Sequence, residues 1–528
     1  MAKGWRTDWA LAGAFAAVAW GSRWALRSRD LYSWDSGLLA SGIRAFDFAA
    51  GHPHPPYYPL AIAAGKVIAL WLGPVQALVA LAVLASGVMA GATYLVARSW
   101  LERPWAAFAA ALVILSPTAL FNGTVALTYA EEGAASAVVA WAAWRCRMQP
   151  TWRRVALLAI ATSLAIGIRP SSLFLLAPLA GWAVWRHPRI WPAAAAVGAI
   201  VTLAWAVPML WAGGGLQWFL RGNSYQSQQV VFRNTVFQGG WDVVPENAVQ
   251  LASYVPWELP YLAAVAVALA ITAFAVRRHS PAAPAPSFLA AWSLPSLLFF
   301  LFLYAGWPIF PSGYVLALVP PAAVACATAL RAVARAVSTS DAPRAARSIG
   351  LALVALLLLA PVAWAASWPE ALAPAREADA WARSWATLES EYPANETALI
   401  TFYGWFWCRI DHPEYLTWGT LPYWNATGAV QVQVLQGQGR HNDRKAYEDA
   451  TDGNPFEDPH AIPPWVKQVV LVHGPPGHET YVFKGGLPVE NRTLASGLRV
   501  SILDPSGLRN IEQAVRWFDD EGRLAVGV

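Results

Sequence analysis

Residues 75–97 read VQALVALAVLASGVMAGATYLVA, a run of 23 residues with no charged side chain. An α-helix needs about 20 such residues to cross the roughly 30 Å hydrocarbon core of a bilayer. Comparable apolar runs recur as far as residue 367. Of the 528 residues, 57% are hydrophobic and 13% are charged, whereas a soluble protein has about a quarter charged residues. The sequence therefore predicts a polytopic integral membrane protein.

The apolar runs predict about eleven transmembrane helices. They cover residues 9–26, 75–97, 104–121, 126–144, 155–168, 171–185, 190–212, 257–276, 285–305, 311–330 and 348–367. The two short runs on either side of Arg169-Pro170 are also compatible with one broken or re-entrant unit. The first run has no convincing cleavage site and is predicted to be retained as a helix.

The basic residues predict the orientation in the membrane. With the N-terminus in the cytoplasm, the cytoplasmic loops contain sixteen Lys and Arg residues, and the longer extracytoplasmic segments before residue 368 contain seven. Cytoplasmic loops are generally enriched in positive charge. Because the basic residues lie mostly in these short loops, the net charge of +5 does not predict a nucleic-acid partner.

The predicted fold class is an all-α polytopic membrane domain, residues 1–367, followed by a small extracytoplasmic α/β domain, residues 368–528. Two long outer loops, 27–74 and 213–256, interrupt the membrane domain. In the second domain, strand-like runs alternate with Pro- and Gly-rich turns. The predicted strands are Ala398–Tyr403, Gln468–His473, Thr480–Phe483 and Leu498–Leu503, and the predicted helices are Ala375–Tyr392 and Asn510–Phe518.

The first outer loop contains an acidic residue close to the membrane plane. Trp34-Asp35-Ser36-Gly37 follows the first helix, and His52-Pro53-His54-Pro55-Pro56-Tyr57-Tyr58-Pro59-Leu60 lies farther along the loop. A carboxylate at this depth is energetically costly, and it can take a proton from an acceptor hydroxyl that attacks a sugar. Alternatively, Asp35 caps an interfacial helix, and the Pro-rich run is a rigid extended connector.

Two adjacent carboxylates, Glu131 and Glu132, lie at the start of a later helix, after Thr128-Tyr129. They can hold a cationic group, a metal or sugar hydroxyls, or they can simply favour the positive end of the helix dipole. Adjacent helical residues point about 100° apart, so only one is expected to face a cavity. Glu132 is the preferred candidate.

Arg169 is the candidate phosphate ligand. Arg169-Pro170-Ser171-Ser172 lies between two apolar runs on the predicted outer side. A guanidinium group forms a planar fork that matches phosphate oxygens. The alternative is an interfacial Arg whose side chain extends to the lipid headgroups.

Other kinds of site have little support in the sequence. His52 and His54 lie close together in a Pro-rich stretch with no nearby ligand pair, so a metal site is not expected. Cys146, Cys326 and Cys408 are far apart and predict neither a disulfide framework nor a Cys-rich metal site. No Gly-rich nucleotide-binding loop occurs in a strand–loop–helix setting.

Taken together, these residues resemble the GT-C superfamily, whose members are multi-spanning glycosyltransferases that use polyprenyl-phosphate-linked sugars. The pattern is most similar to the protein O-mannosyltransferase-like and family 39-like branch, which carries Asp-Ser-Gly…His-Pro-Pro-Gly-Tyr-Pro-Leu. Here the stretch reads Asp35-Ser36-Gly37…His54-Pro55-Pro56-Tyr57-Tyr58-Pro59-Leu60, so Tyr57 replaces the Gly. The resemblance implies a catalytic Asp35, a supporting carboxylate at Glu131 or Glu132, and a donor-phosphate contact at Arg169.

The resulting hypothesis is an inverting glycosyltransferase at the extracytoplasmic face. Asp35 is the predicted general base, and His52, His54, Tyr57 and Tyr58 are predicted to shape the sugar and acceptor pocket. The expected partners are membrane lipid, a polyprenyl-phosphate sugar as donor, and a glycan, lipid or protein acceptor. No cofactor and no divalent metal are expected.

The alternatives are a multi-spanning transporter, and a flippase or ligase for lipid-linked glycans. Both explain the helix count. A transporter explains the polar loop 213–256 and the outer domain less well, and the sequence has no paired halves with interrupted helices.

Overall fold

The computed structural model divides the chain into two compact units. The described residues are 2–31, 34–48, 52–226, 235–237, 239–253, 286–303, 313–339, 384–401, 415–424, 430–437, 462, 464–473, 481–509 and 511–517. The helical unit comprises Met1–Arg29, Pro56–Ala212 and Val230–Ala375, and the mixed unit comprises Asp30–Pro55, Gly213–Gln229 and Arg376–Val528.

Helices account for most of the described residues. In chain order they are α1 (Ala2–Ala25), α2 (Trp34–Arg44), α3 (Pro59–Leu72), α4 (Pro74–Arg98), α5 (Arg103–Leu115), α6 (Pro117–Asn122), α7 (Tyr129–Met148), α8 (Trp152–Ile168), α9 (Ser172–Val184), α10 (Trp191–Ala212), α11 (Leu216–Gln226), α12 (Val243–Ser253), α13 (Pro286–Phe302) and α14 (Val319–Thr339). Short 3₁₀ helices cover Pro188–Ile190, Gly313–Leu318 and Ile511–Gln513. Helices α2 and α11 belong to the mixed unit, and the other α-helices in this list belong to the helical unit.

Helix α4 packs against α1, α5 and α7 in the helical unit. Small residues allow α1 to approach it closely. A Cβ atom at Gly87 would lie 1.9 Å from Trp20 Nε1, and one at Gly91 would lie 2.9 Å from the Ala12 carbonyl oxygen. Such close packing is a main source of helix association in a bilayer, where lipid tails are as apolar as the side chains.

Nine of the predicted spans coincide with described helices, so the prediction of a mostly helical, apolar region is confirmed. The spans 257–276 and 348–367 lie outside the described residues. By length and apolar composition, three described helical segments can cross a membrane: Pro74–Arg98, Pro188–Ala212 and Gly313–Arg331. Shorter apolar helices include Pro59–Leu72, Arg103–Leu115, Ser172–Val184 and Ser287–Phe302.

Both predicted outer loops contain helices. Helices α2 and α3 lie within residues 27–74, and α11 and α12 lie within 213–256. Helix α3 begins at Pro59, whose ring fixes φ near the helical value and whose missing N–H is not needed at a first position. The reading of the whole Pro-rich run as an extended connector is therefore wrong at its C-terminal end.

The mixed unit contains a six-stranded sheet in the order β3-β2-β1-β4-β7-β6 and a two-stranded sheet of β5 and β8. The strands are β1 (Thr397–Ile400), β2 (Leu416–Trp424), β3 (Val430–Gly437), β4 (Gln468–Val472), β5 (Tyr481–Phe483), β6 (Val489–Thr493), β7 (Arg499–Leu503) and β8 (Val515–Trp517). Strand β1 is parallel to β2 and β4, and the other neighbouring strands are antiparallel. The four predicted strands are confirmed as β1, β4, β5 and β7.

The predicted helix Asn510–Phe518 is wrong. Only Ile511–Gln513 form a 3₁₀ turn, and Val515–Trp517 form strand β8, which pairs with β5. Burial of Ile511, Ala514 and Val515 against the sheet outweighs the helix-like spacing of these residues. Of the predicted helix Ala375–Tyr392, the structure describes a helix over 384–391, and residues 375–383 lie outside the described part.

Candidate active site

Arg169 lies in the turn between α8 and α9, and its side chain is only 6% exposed. Helix α8 ends at Ile168 because the next residue precedes Pro170, whose ring disfavours helical geometry at the residue before it. Arg169 accordingly has extended backbone angles, φ −144° and ψ 111°. The turn thereby places a charged side chain within a unit that is otherwise largely apolar.

Glu132 is the acidic partner of Arg169. Its Oε2 atom lies 3.1 Å from Arg169 Nε, and its side chain is 2% exposed. The other carboxylate oxygen, Oε1, accepts hydrogen bonds from Ser171 Oγ at 2.6 Å and Ser172 Oγ at 3.3 Å. A buried ion pair is stable only when further hydrogen bonds satisfy its remaining polar atoms, and these serines supply them.

The guanidinium group of Arg169 is held at two of its three nitrogens. Nε also donates to Ser171 Oγ at 3.2 Å, and Nη1 donates to Thr128 Oγ1 at 2.9 Å. Among the described residues, no acceptor takes a hydrogen bond from Nη2.

Three tyrosine rings surround the same guanidinium group. Its Cζ atom lies 4.1 Å from the ring centroid of Tyr129, 5.4 Å from that of Tyr314 and 5.6 Å from that of Tyr58. All three distances fall within the range of cation–π attraction. The rings come from the start of α7, from the 3₁₀ helix Gly313–Leu318 and from the residue before α3.

Tyr57 and Tyr58 have left-handed backbone conformations, with φ of 75° and 47°. Both are buried. Such φ values are uncommon for bulky residues and cost about 1–3 kcal/mol each. The conformation at Tyr57 accounts for the Gly that the similar family has at this place, because glycine adopts positive φ without steric cost. Backbone strain of this kind clusters at functional sites.

Glu131 differs sharply from its neighbour. Its side chain is also buried, but no side chain donates a hydrogen bond to either carboxylate oxygen within the described part of the chain. The structure therefore pairs Glu132 directly with Arg169, beside Tyr58, whereas Glu131 lies near the same charge without a side-chain partner.

Asp35 lies in the first turn of α2, in the mixed unit. It is the second residue of the helix rather than the residue before it, so its charge favours the positive end of the helix dipole from inside the first turn. His54 Nε2 lies 3.9 Å from Asp35 Oδ1, and the Asp35 side chain is 44% exposed. The Asp35 carboxylate is thus accessible to solvent and lies near the imidazole of His54.

The segment that carries His54 is anchored to α2. Asp47 and His52 exchange backbone hydrogen bonds at 2.8 Å in both directions. A Cβ atom at Gly42, in α2, would lie 2.6 Å from Pro53 Cδ and 2.8 Å from Pro53 N. Glycine at this position lets the His52–His54 backbone lie directly against the helix.

We expect Gly42→Ala to destabilise the protein by about 1–3 kcal/mol, because the new methyl group overlaps Pro53 and one of the two segments must move. Thermal unfolding of the full chain in detergent measures this. Gly13→Ala is the matched control, since no atom lies within 4 Å of a Cβ at this helical position. Equal unfolding temperatures for the two variants would contradict the close contact.

Several polar and aromatic residues of the Arg169 cluster were not predicted as site residues. Thr128, Tyr129, Ser171 and Ser172 adjoin predicted residues in the sequence, and this proximity is the signal that could have identified them. Tyr314 lies far from them in the sequence, with no local pattern that marks it. Within the described ranges, no group of three or more His, Cys, Asp or Glu residues is placed to hold a metal ion.

No protein-family model and no curated protein matches the sequence. The structure is similar to that of ArnT from Cupriavidus metallidurans in the apo state, with a TM-score of 0.54, 14% identity, and coverage of 95% of this chain and 98% of ArnT. The chain therefore has the fold of ArnT. A second ArnT structure, bound to undecaprenyl phosphate, gives the same TM-score at 13% identity and the same coverage.

At 95% coverage of this chain, the likeness to ArnT includes residues of both units. A weaker similarity, at a TM-score of 0.47 and 12% identity, is to the apo oligosaccharyltransferase of Archaeoglobus fulgidus. It covers 78% of this chain and 64% of that one. The likeness to ArnT confirms, at the level of the fold, the resemblance inferred from short motifs.

Proposed function

We propose that this protein is an inverting membrane glycosyltransferase that moves a sugar from a polyprenyl-phosphate donor to an acceptor hydroxyl at the extracytoplasmic face. The observation that carries the proposal is the buried Arg169, whose Nη2 has no acceptor among the described residues. The GT-C fold adds support, as does the ArnT structure bound to undecaprenyl phosphate.

In this proposal Arg169 binds the donor phosphate through Nη2. Glu132 and Thr128 hold Nε and Nη1, so they anchor the guanidinium group at two of its nitrogens. A charge-assisted hydrogen bond to a phosphate oxygen is stronger than a hydrogen bond between neutral groups. The low dielectric constant of a site that excludes water strengthens it further. The same contact stabilises the leaving group, because the phosphate gains negative charge as the bond to the sugar breaks.

Asp35 acts as the general base on the acceptor. The acceptor hydroxyl oxygen attacks the anomeric carbon while its proton passes to the Asp35 carboxylate. The bond from the anomeric carbon to the phosphate oxygen breaks, and its electron pair leaves with the polyprenyl phosphate. Attack from the side opposite the leaving group inverts the anomeric centre. His54, near Asp35 Oδ1, orients this carboxylate, while His52, Tyr57 and Tyr58 shape the sugar and acceptor pocket.

The proposal includes the placement of the chain in the membrane. The N-terminus is cytoplasmic, the membrane domain covers residues 1–367, and residues 368–528 form an extracytoplasmic domain. Membrane lipid surrounds the apolar helices, and the acceptor is a glycan, a lipid or a protein. The reaction requires neither a cofactor nor a divalent metal.

The test is sugar transfer by the full-length protein in lipid vesicles. Polyprenyl-monophosphate sugars with a labelled sugar are compared with a polyprenyl-diphosphate glycan and with nucleotide sugars, and a membrane extract supplies acceptors. We expect transfer only from a monophosphate donor, with inversion detected by NMR. Transfer only from the diphosphate donor would instead establish a ligase. Movement of labelled lipid across the vesicle membrane without transfer would establish a flippase or transporter.

A further inference from the structure

We propose that Tyr129 and Tyr314 are positioning residues that hold Arg169 in the orientation in which Nη2 meets the donor phosphate. The inference rests on the proposed function, because it assigns a role within the same phosphate site. Tyr129 and Tyr314 lie around the guanidinium group, with ring centroids 4.1 Å and 5.4 Å from its Cζ atom. Tyr314 was not identifiable as part of a phosphate site from its local sequence.

The hydrogen bonds of Arg169 fix two of its nitrogens but not the tilt of its guanidinium plane. Glu132 contacts Nε and Thr128 contacts Nη1, and each of them holds a single nitrogen. An aromatic ring attracts a cation over its face. Rings at the observed distances therefore restrict the tilt of the plane. This restriction prepares Nη2 for a phosphate oxygen before the donor arrives.

The two tyrosine rings support each other. Tyr129 and Tyr314 contact edge to face, with centroids 5.2 Å apart, and Tyr314 also contacts Phe300 at 6.1 Å. Edge-to-face pairs at these distances are stabilising. The arrangement thus forms a small aromatic cluster with a defined geometry, and Arg169 lies against it.

Gly313 makes room for the ring of Tyr129. A Cβ atom at Gly313 would lie 2.0 Å from Tyr129 Cγ and 2.2 Å from Cδ2, so any larger residue must displace the ring. The substitution Gly313→Ala therefore moves Tyr129 while every side chain in the Arg169 cluster keeps its chemistry. This variant therefore tests where the Tyr129 ring lies, whereas Tyr129→Leu tests whether the ring is needed at all.

Aromatic packing alone also explains these contacts, and it predicts different results. A ring that only fills space contributes to stability, and its loss lowers the unfolding temperature without changing donor affinity. A ring that positions Arg169 changes the affinity for the phosphate group specifically. The two readings are separated by the donor KM, by kcat, and by the Kd for polyprenyl phosphate without a sugar.

The experiment compares Tyr129→Leu, Tyr129→Phe, Tyr314→Leu and Gly313→Ala in the full-length protein in lipid vesicles. We expect Tyr129→Leu to raise the donor KM and the Kd for polyprenyl phosphate by about tenfold, in keeping with one lost cation–π contact. Tyr314→Leu has a smaller effect in the same direction because its ring is farther away. Tyr129→Phe retains the ring and stays within about twofold of wild type.

Gly313→Ala raises the same Kd, and it serves alone if Tyr129→Leu does not fold. Gly181→Ala, at a helical position with no atom within 4 Å of a Cβ, is its control. An unchanged Kd in Tyr129→Leu, or in Gly313→Ala if only that variant folds, overturns the inference.

The charge-balanced double variant Arg169→Gln with Glu132→Gln distinguishes the phosphate site itself from the positioning role of the tyrosines. If this variant weakens polyprenyl phosphate binding and Tyr129→Leu does not, the positioning role is wrong and the phosphate site stands. If neither changes the Kd, the phosphate site itself is wrong.

Discussion

Replacing Asp35 by Asn is expected to lower kcat for sugar transfer by about 10²–10⁴-fold, the range that general acid–base catalysis supplies. Asparagine keeps the size of the side chain but cannot accept the proton of the acceptor hydroxyl. The Asp35 carboxylate is 44% exposed and therefore accessible to an acceptor, and His54 Nε2 lies 3.9 Å from it. The measurement is the initial rate of transfer from a labelled polyprenyl-phosphate sugar.

The Kd for polyprenyl phosphate without a sugar should stay within about twofold in Asp35→Asn, because the donor phosphate is assigned to Arg169. Asp242→Asn, which removes an exposed carboxylate just before α12, is the matched control and should retain full activity. Wild-type kcat in a folded Asp35→Asn protein would rule out Asp35 as the base. A parallel loss in Asp242→Asn would point to a general effect of charge.

The helices were predictable because their signal is local. A run such as 75–97 is apolar on all sides and has the length of a membrane span, so no knowledge of its neighbours is needed. Helix α3 was overlooked for the opposite reason: it is a 14-residue helix, it contains Lys66, and it directly follows a Pro-rich stretch. In β8, pairing with β5 decides the conformation, and a local pattern does not report such pairing.

The site was only partly predictable, because a local sequence pattern shows single residues but not the contacts between distant ones. Glu132 and Arg169 each stood out as a charged residue beside apolar runs, where ionisable groups are costly. That they form one ion pair depends on the packing of α7 against the turn between α8 and α9, 37 positions apart in the chain. Tyr314 had no distinguishing signal, since an isolated tyrosine in an apolar segment is ordinary. Its place beside Arg169 becomes visible only in the structure.

Glu132→Gln is expected to lower the free energy of unfolding by about 3–5 kcal/mol, the usual cost of removing one partner of a buried ion pair. The change leaves the guanidinium of Arg169 buried without its counter-charge, and it weakens the hydrogen bonds that Ser171 and Ser172 make to the carboxylate. Chemical denaturation of the full-length protein in mixed micelles measures the loss. A change below about 1 kcal/mol would mean that the pair contributes little to the fold.

The double variant Arg169→Gln with Glu132→Gln should recover much of that stability, because a buried pair can often be replaced by neutral groups at little cost. The difference between the single and double variants then gives the coupling energy of the pair. Glu131→Gln is the matched control one residue away: its carboxylate has no hydrogen-bond partner within the described residues, so neutralising it should leave stability unchanged or raise it. Opposite signs at two adjacent glutamates would show that Glu132 belongs to the structural support of Arg169. Glu131 would then be an ionisable group that the fold itself does not require.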